Sequence, residues 1–177
     1  MSVAVINFKM KTIDRKVKTA FYLGEAGLDE AYAVIVIEIK NAIENGTDTM
    51  DTSYNVWLAS QDPNDPDPPT PPLNEWFQQG YKEYIQNNLT STILNYDYSV
   101  LDLDINSASS TVTFNQPINF QATENKYVFE LKSSFTHQDI TKSIKSQYKI
   151  AVPDYSSDLI KKEKILPLIE YTYTDME

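Results

Sequence analysis

Apolar residues recur through the first quarter of this chain at steps of three and four: Ile6, Met10, Ile13, Val17, Phe21, Gly24, Leu28, Tyr32, Ile35, Ile39 and Ile43. That is the period of one helix face. A helix carrying the whole stripe is roughly 60 Å long, wider than a small domain. Either other elements cover all of it, or part of it stands clear of the body. Two details resist the assignment. Val34, Ile35, Val36 and Ile37 are β-branched and locally favour a strand. Gly24 and Gly27 each cost a helix about 1 kcal/mol relative to alanine. The stripe crosses both in phase, so a helix is expected throughout. Asn45 and Gly46 are stop residues and predict its end there. Apolar character on all sides near Ile35 predicts burial of that part.

The charge is divided along the chain. The 177 residues carry a net charge of −10, which argues against nucleic-acid binding. Residues 1–20 run the other way, with Lys9, Lys11, Arg15, Lys16 and Lys18 against Asp14 alone. That is a net of +4, leaving −14 for the remainder. A basic helix start suits lipid headgroups, an acidic neighbour or plain solvent, and it is expected to project from the body. No cysteine is present, which removes disulfides, thiolate catalysis and cysteine-based zinc sites. No run of about 18 apolar residues marks a membrane span.

Beyond the stripe, residues 46–72 read as a connector that ends in QDPNDPDPPTPP. Proline at that density removes backbone donors and favours an extended backbone. Tyr54, Val56, Trp57 and Leu58 are expected to pin the connector to the body. Leu73 to Leu94 reads as a second helix, with Asn74 as its cap and Trp76, Phe77, Tyr81, Tyr84, Ile85 and Leu89 at helical spacing. From residue 96 the period falls to two. Leu101, Leu103 and Ile105 form one set; Val112, Phe114, Ile118 and Phe120 a second; Tyr127, Phe129, Leu131 and Phe135 a third; Ile144, Tyr148, Ile150 and Val152 a fourth. This predicts an antiparallel meander of about four strands, with Pro117 at an edge or bulge and a turn at Thr136 to Asp139. A short helix from Asp154 to Lys164 is expected next. Ile169, Tyr171 and Tyr173 then suit a last strand. The fold class is α+β. Its parts are a helix at 1–46, a connector with its own helix at 47–95, and a sheet region at 96–177.

Little catalytic chemistry is available. His137 is the single histidine, and no Gly-x-Ser-x-Gly accompanies it. Asp62, Asn64, Asp65 and Asp67 form an oxygen-rich cluster of the kind calcium takes. Their spacing is not that of an EF-hand, and interleaved prolines stiffen the segment, so a solvated loop is the plainer expectation and no cofactor is expected. Trp57, Trp76 and Phe77 can form either core or a sugar- or peptide-binding platform.

The stretch AFYLGEAGLDEAYA at residues 20–33, preceded by NFKMKTIDRKVKT, resembles a segment of type IV pilus minor pilins of the PilX and PilK group, relatives of the GspK pseudopilin. Phe21, Tyr22, Leu23, Glu25, Ala26 and Gly27 match the family's AFYLAEAG-like segment, with Gly24 where alanine is usual. The order of long helix, connector and antiparallel strands resembles the pilin architecture. The resemblance implies one pilin-like domain with a non-enzymatic role in pilus assembly, at initiation or in the tip complex. It implies other minor and major pilins as partners and a location on the cell surface. It also implies a membrane anchor, which this chain lacks, so the expectation is a soluble ectodomain. Lys9, Arg15, Phe21, Tyr22, Glu25 and Leu28 are then the expected partner-binding residues on the helix. The same family association keeps calcium open at the acidic cluster. The alternative is a surface ligand-binding or adhesin module.

Overall fold

A computed structural model of the chain describes residues 3–62, 65, 67–98, 110–137, 140–157, 160 and 165–176. The fold is α+β: a long first helix, a second helical segment, and a four-stranded antiparallel sheet. Helix α1 spans Val3–Ala59, 57 residues, or about 85 Å at 1.5 Å per residue. Its buried face runs through Ala20, Leu23, Gly24, Gly27, Leu28, Ala31, Val34, Ile35, Ile39, Ala42, Gly46 and Met50. The β-branched run is helical because Val34 and Ile35 lie in the core, where packing outweighs a propensity difference of a few tenths of a kcal/mol.

The expected stop at Asn45 and Gly46 is corrected: α1 continues for thirteen further residues. Both residues are used for tertiary packing. The Asn45 side-chain amide donates to the carbonyl of Gly80 at 2.8 Å. A Cβ on Gly46 would lie 2.8 Å from the Phe77 carbonyl oxygen, so glycine here lets a second helix approach. At the true end, Ser60 Oγ and Gln61 Nε2 both donate to the Trp57 carbonyl, at 2.7 and 3.0 Å. These bonds satisfy a carbonyl that the end of a helix leaves open.

The second helical segment comprises α2 at Leu73–Tyr84, a π turn at Ile85–Leu89, and α3 at Thr90–Asn95. Asn74 is not its cap. The helix begins at Leu73 as expected, but Pro72 holds the cap position and no side chain caps it. Asn74 instead ties the helix to the turn after the third strand: its Oδ1 accepts from the Tyr155 backbone at 2.8 Å, and its Nδ2 donates to Asp154 at 3.0 Å. A π turn carries more than 3.6 residues. It keeps Ile85, Leu89 and Ile93, spaced by four, on one buried face.

Strands β1 at Ser110–Gln121, β2 at Lys126–His137, β3 at Ile140–Ala151 and β4 at Ile169–Met176 pair in the order β1-β2-β3-β4. The parity predicted for β2 and β3 is observed, with Phe129 opposite Tyr148 and Tyr127 opposite Ile150. β1 is an edge strand, and its pairing slips between Phe114 and Asn119, around Pro117, because proline cannot donate to a ladder. The β1–β2 turn closes on Asn125 at φ 47°, a left-handed conformation that asparagine tolerates. The tail supplies the fourth strand. The alternation at Leu101, Leu103 and Ile105 lies outside the described residues. So does most of the helix expected after Asp154, where the described part begins with a turn at Tyr155 to Ser157.

The sheet lies against the middle of α1. Phe129, Leu131, Ile144, Tyr148 and Ile150 meet Leu28, Val34, Ile35 and Ile39 in one core, which Tyr81, Ile85, Leu89 and Ile93 complete. Tyr148 is central. Its ring stacks on Phe129 at 5.3 Å and on Tyr171 at 5.9 Å, and its hydroxyl donates to the Leu28 carbonyl at 3.3 Å. Small residues set the helix–sheet distance. A Cβ on Gly27 would lie 2.6 Å from Ser133 Oγ, and the Ser133 and Ser110 hydroxyls share a 3.0 Å hydrogen bond beneath the helix.

Candidate functional site

The two ends of α1 stand apart from this core. Residues 8–15 are exposed on every side, and full burial begins at Ala20. The apolar stripe nevertheless continues into this stretch. Phe8 is 72% exposed, Met10 63% and Ile13 55%. Met10, Ile13 and Val17 fall on the face that, farther along, packs on the sheet. Among the described residues of this stretch, Lys18 pairs with Asp14 at 2.9 Å, while Lys9, Lys11, Arg15 and Lys16 form no salt bridge.

The other end is also apolar, and acidic. Tyr54, Val56 and Leu58 are exposed, and Tyr54 stacks on Trp57 at 5.7 Å. These side chains do not pin the connector to the body as expected; they ride on the last turns of α1, which remain open to solvent. No basic residue occurs between Lys40 and Lys82, while Glu44, Asp48, Asp51, Asp62, Asp65, Asp67 and Glu75 do.

The residues expected to bind partners divide into two groups. Lys9, Arg15 and Tyr22 are exposed. Phe21 is half-buried, packs against the core, and meets Tyr22 edge-on at 5.8 Å. Glu25 is half-buried near Tyr173, whose hydroxyl is pushed up to about 12 by burial first and then by Asp29 and Glu25. Leu28 is not open to a partner, because it is buried beneath Tyr148. The stripe alone could not separate these groups, since the sheet edge that divides them is formed by residues about a hundred positions later.

In the acidic loop, Asp65 Oδ1 accepts the Asp67 backbone amide at 3.0 Å, and the Asp65 amide donates to the Asp62 carbonyl at 3.1 Å. The loop thus folds on its own backbone. Asn64 lies outside the described residues. Among the described residues, no three acidic or histidine side chains converge on a point that would hold a metal ion. His137 ends β2, and its side chain is outside the described set.

Of the proposed aromatic platform, Phe77 is core, with its ring 6.4 Å from Tyr81 and 5.8 Å from Tyr155. Trp57 and Trp76 are half-buried. A shallow groove of about 480 Å³ lies beside the start of α2, between Pro71, Leu73, Asn74 and Tyr155.

Two buried carboxylates were not foreseen. Glu38 accepts from Asn41 Nδ2 at 3.3 Å and from the Tyr84 hydroxyl at 3.2 Å. Glu130 accepts from Asn115 and from Thr174 Oγ1, the latter at 2.9 Å. Both are held by neutral donors, as buried polar groups require, and each ties separate elements together. Glu30 differs, since its Oε2 is buried with no hydrogen-bond partner. Burial, and then the Asp97 carboxylate, push its pKa above the ordinary glutamate range. A raised folded-state value favours the protonated form. Its contribution is fully present below the ordinary glutamate value and is lost as pH rises through the raised one. Glu30→Gln is therefore expected to raise the melting temperature at pH 7. The gain should disappear below about pH 4, where wild-type Glu30 is itself neutral; thermal melts at both pH values check this.

Among the described residues, no helix is long and apolar enough to cross a membrane. No protein-family model, no curated protein and no solved structure matches this chain.

Proposed function

We propose that this chain is a non-enzymatic subunit of an extracellular fibre, a minor pilin of a type IV pilus, acting with other pilins in assembly initiation or at the tip. The observation that carries the reading is the open first part of α1, where Met10 and Ile13 extend the core-facing stripe beyond the body that should cover it. An apolar face continuous with a core, rimmed by lysine and arginine, is a surface for neighbouring subunits. The resemblance of residues 20–33 to minor pilins supports the same reading, as does the order of long helix and antiparallel sheet. In this reading the native protein is held in the membrane through an anchor before it joins the fibre.

Met10→Glu with Ile13→Glu tests it in the cell of origin. Both side chains are exposed, so the variant should fold with an unchanged melting temperature. Surface pili counted by electron microscopy should fall about as far as when the protein is deleted. Normal piliation without the protein would end this reading. Glycan or peptide binding lost on Trp76→Ala, with piliation untouched, would favour a ligand-binding module.

A further inference from the structure

The two edges of the sheet are built differently. An edge strand offers unpaired N–H and C=O groups to any other chain, and proteins ordinarily blunt it with proline, lysine or a bulge. β1 is blunted, by Pro117 and by the slip in its pairing there. β4 is not. Its sequence, IEYTYTDM, holds neither proline nor lysine. Its pairing with β3 is regular from Ile169 to Tyr173, and among the described residues nothing pairs with its outer side. Tyr171 and Tyr173 lie exposed on the side of the strand that faces α1. The Tyr32 ring is 5.0 Å from Tyr171, while Glu25 and Asp29 lie near enough to Tyr173 to act on its hydroxyl. α1 and β4 therefore pass one another in opposite directions, with tyrosine rings and two carboxylates along the open side. Neither carboxylate forms a salt bridge among the described residues. Lys18, the cation before them on α1, is paired with Asp14. Lys145 and Lys149 of β3 alternate onto the opposite face of the sheet from the buried Ser146, Tyr148 and Ile150.

We propose that the outer side of β4 takes a fifth strand: an extended segment of another protein that carries lysine or arginine at alternate positions. Backbone pairing with β4 supplies the attachment, the ordinary mode of strand addition. Alternate side chains of the added strand point toward α1, spaced by about 6.7 Å. Glu25 and Asp29, four residues apart on a helix, are separated by about 6 Å. Two successive cations therefore meet two successive carboxylates, with the Tyr171 and Tyr173 rings beside them for cation–π contact. A second copy of this chain does not suit the place, because it would set carboxylates against carboxylates. The surface is separate from the open start of α1, and its occupation does not depend on the fibre reading.

Titration of the protein at low salt with a blocked peptide of alternating lysine and threonine, matched to the eight residues of β4, tests the proposal by calorimetry and amide exchange. The expected result is saturable binding, with exchange slowed at the Glu170 to Tyr173 amides. The same peptide methylated at every backbone nitrogen keeps its charge, cannot pair, and should not bind. A peptide with glutamate in place of lysine should not bind either. Glu25→Gln with Asp29→Asn should weaken the lysine peptide about tenfold, the upper range for two exposed ion pairs. Asp29 is exposed, so Asp29→Asn alone serves if the double variant melts early, and should weaken binding about threefold. No binding of the lysine peptide, equal binding of the methylated one, or variants that bind like wild type would each overturn the proposal. So would protection of β4 in the protein alone that grows with its concentration, since the edge would then belong to a second copy.

Discussion

Tyr148→Ala should lower the free energy of unfolding by about 3–5 kcal/mol, the range for deleting a buried aromatic side chain. Tyr148 is 1% exposed and lies between two rings, Phe129 at an interplanar angle of 11° and Tyr171 at 19°. It is also the point where β3 touches the backbone of α1, through the Leu28 carbonyl. Removing the ring leaves a void bordered by three elements, two of them neighbouring strands fixed by their ladder, so collapse around it is limited. Tyr148→Phe separates the terms. It keeps the ring and loses one hydrogen bond, at a cost of about 1 kcal/mol. Urea unfolding followed by tyrosine and tryptophan fluorescence measures both. Since a domain of this size is stable by about 5–15 kcal/mol, the alanine variant removes a large share of the total. Equal losses in the two variants would mean that the hydroxyl, not the ring, holds the helix to the sheet.

The second large effect concerns the crossing of α1 and α2, and its sign opposes helix propensity. Alanine is a better helix former than glycine by about 1 kcal/mol, so Gly46→Ala and Gly80→Ala would stabilise isolated helices. At Gly46 the new Cβ would lie 2.8 Å from the Phe77 carbonyl oxygen; at Gly80 it would lie 2.9 Å from the Asn45 carbonyl oxygen and 2.7 Å from Thr49 Cβ. The obstacles are backbone atoms and a Cβ, which yield only if a helix moves. Overpacking of this kind costs about 1–3 kcal/mol, enough to outweigh the propensity gain. Each variant is expected to be less stable, by a lowered urea midpoint at unchanged slope. Both positions serve one crossing, so the double variant should lose less than the sum of the singles. A raised midpoint in either single variant would show that the helices separate easily.

These glycines also mark where the sequence stops being legible. The stripe from Ile6 to Ile43 gives the period, the direction of the buried face and the helix through Val34 and Ile35, because those depend on neighbours in the chain. Parity in β2 and β3 is legible for the same reason: one face is buried, so large residues alternate. Pro117 announces an edge because it lacks a donor wherever it sits. Asn45 and Gly46 mislead because residues that locally signal a helix end are used here for a close crossing within a continuing helix. Asn74 misleads likewise, since an asparagine near a helix start is an ordinary cap until Asp154 and Tyr155 are brought beside it. Ser110, Ser133 and Ser146 lie buried in the sheet, although serine ordinarily suggests surface. For Ser110 and Ser133 the burial follows from the need for small side chains beneath Gly27, and Ser146 donates to the Thr172 carbonyl of the next strand; no local pattern reports either. For the candidate surface, the basic stretch and its apolar stripe were visible in advance, while the exposed end at Tyr54 to Leu58 was not. Recognising it required knowing that α1 outruns its own stop signal.

The arrangement of the core has a consequence for the order of manufacture. The apolar face of α1 is synthesised first, yet Phe129 and Tyr148, which cover it, leave the ribosome about 100 residues later, a delay of roughly 5–20 s at ordinary elongation rates. The helical segment at Leu73–Asn95 emerges sooner and can shelter part of α1 in the interval. The β1–β2 and β2–β3 hairpins have short connections, so they form locally once made, and the docking of sheet on helix is the sequence-distant event. The nascent chain therefore carries the sheet-facing part of its longest apolar stripe uncovered until the strands are made. Until the sheet is made, that open apolar face is an invitation to premature association.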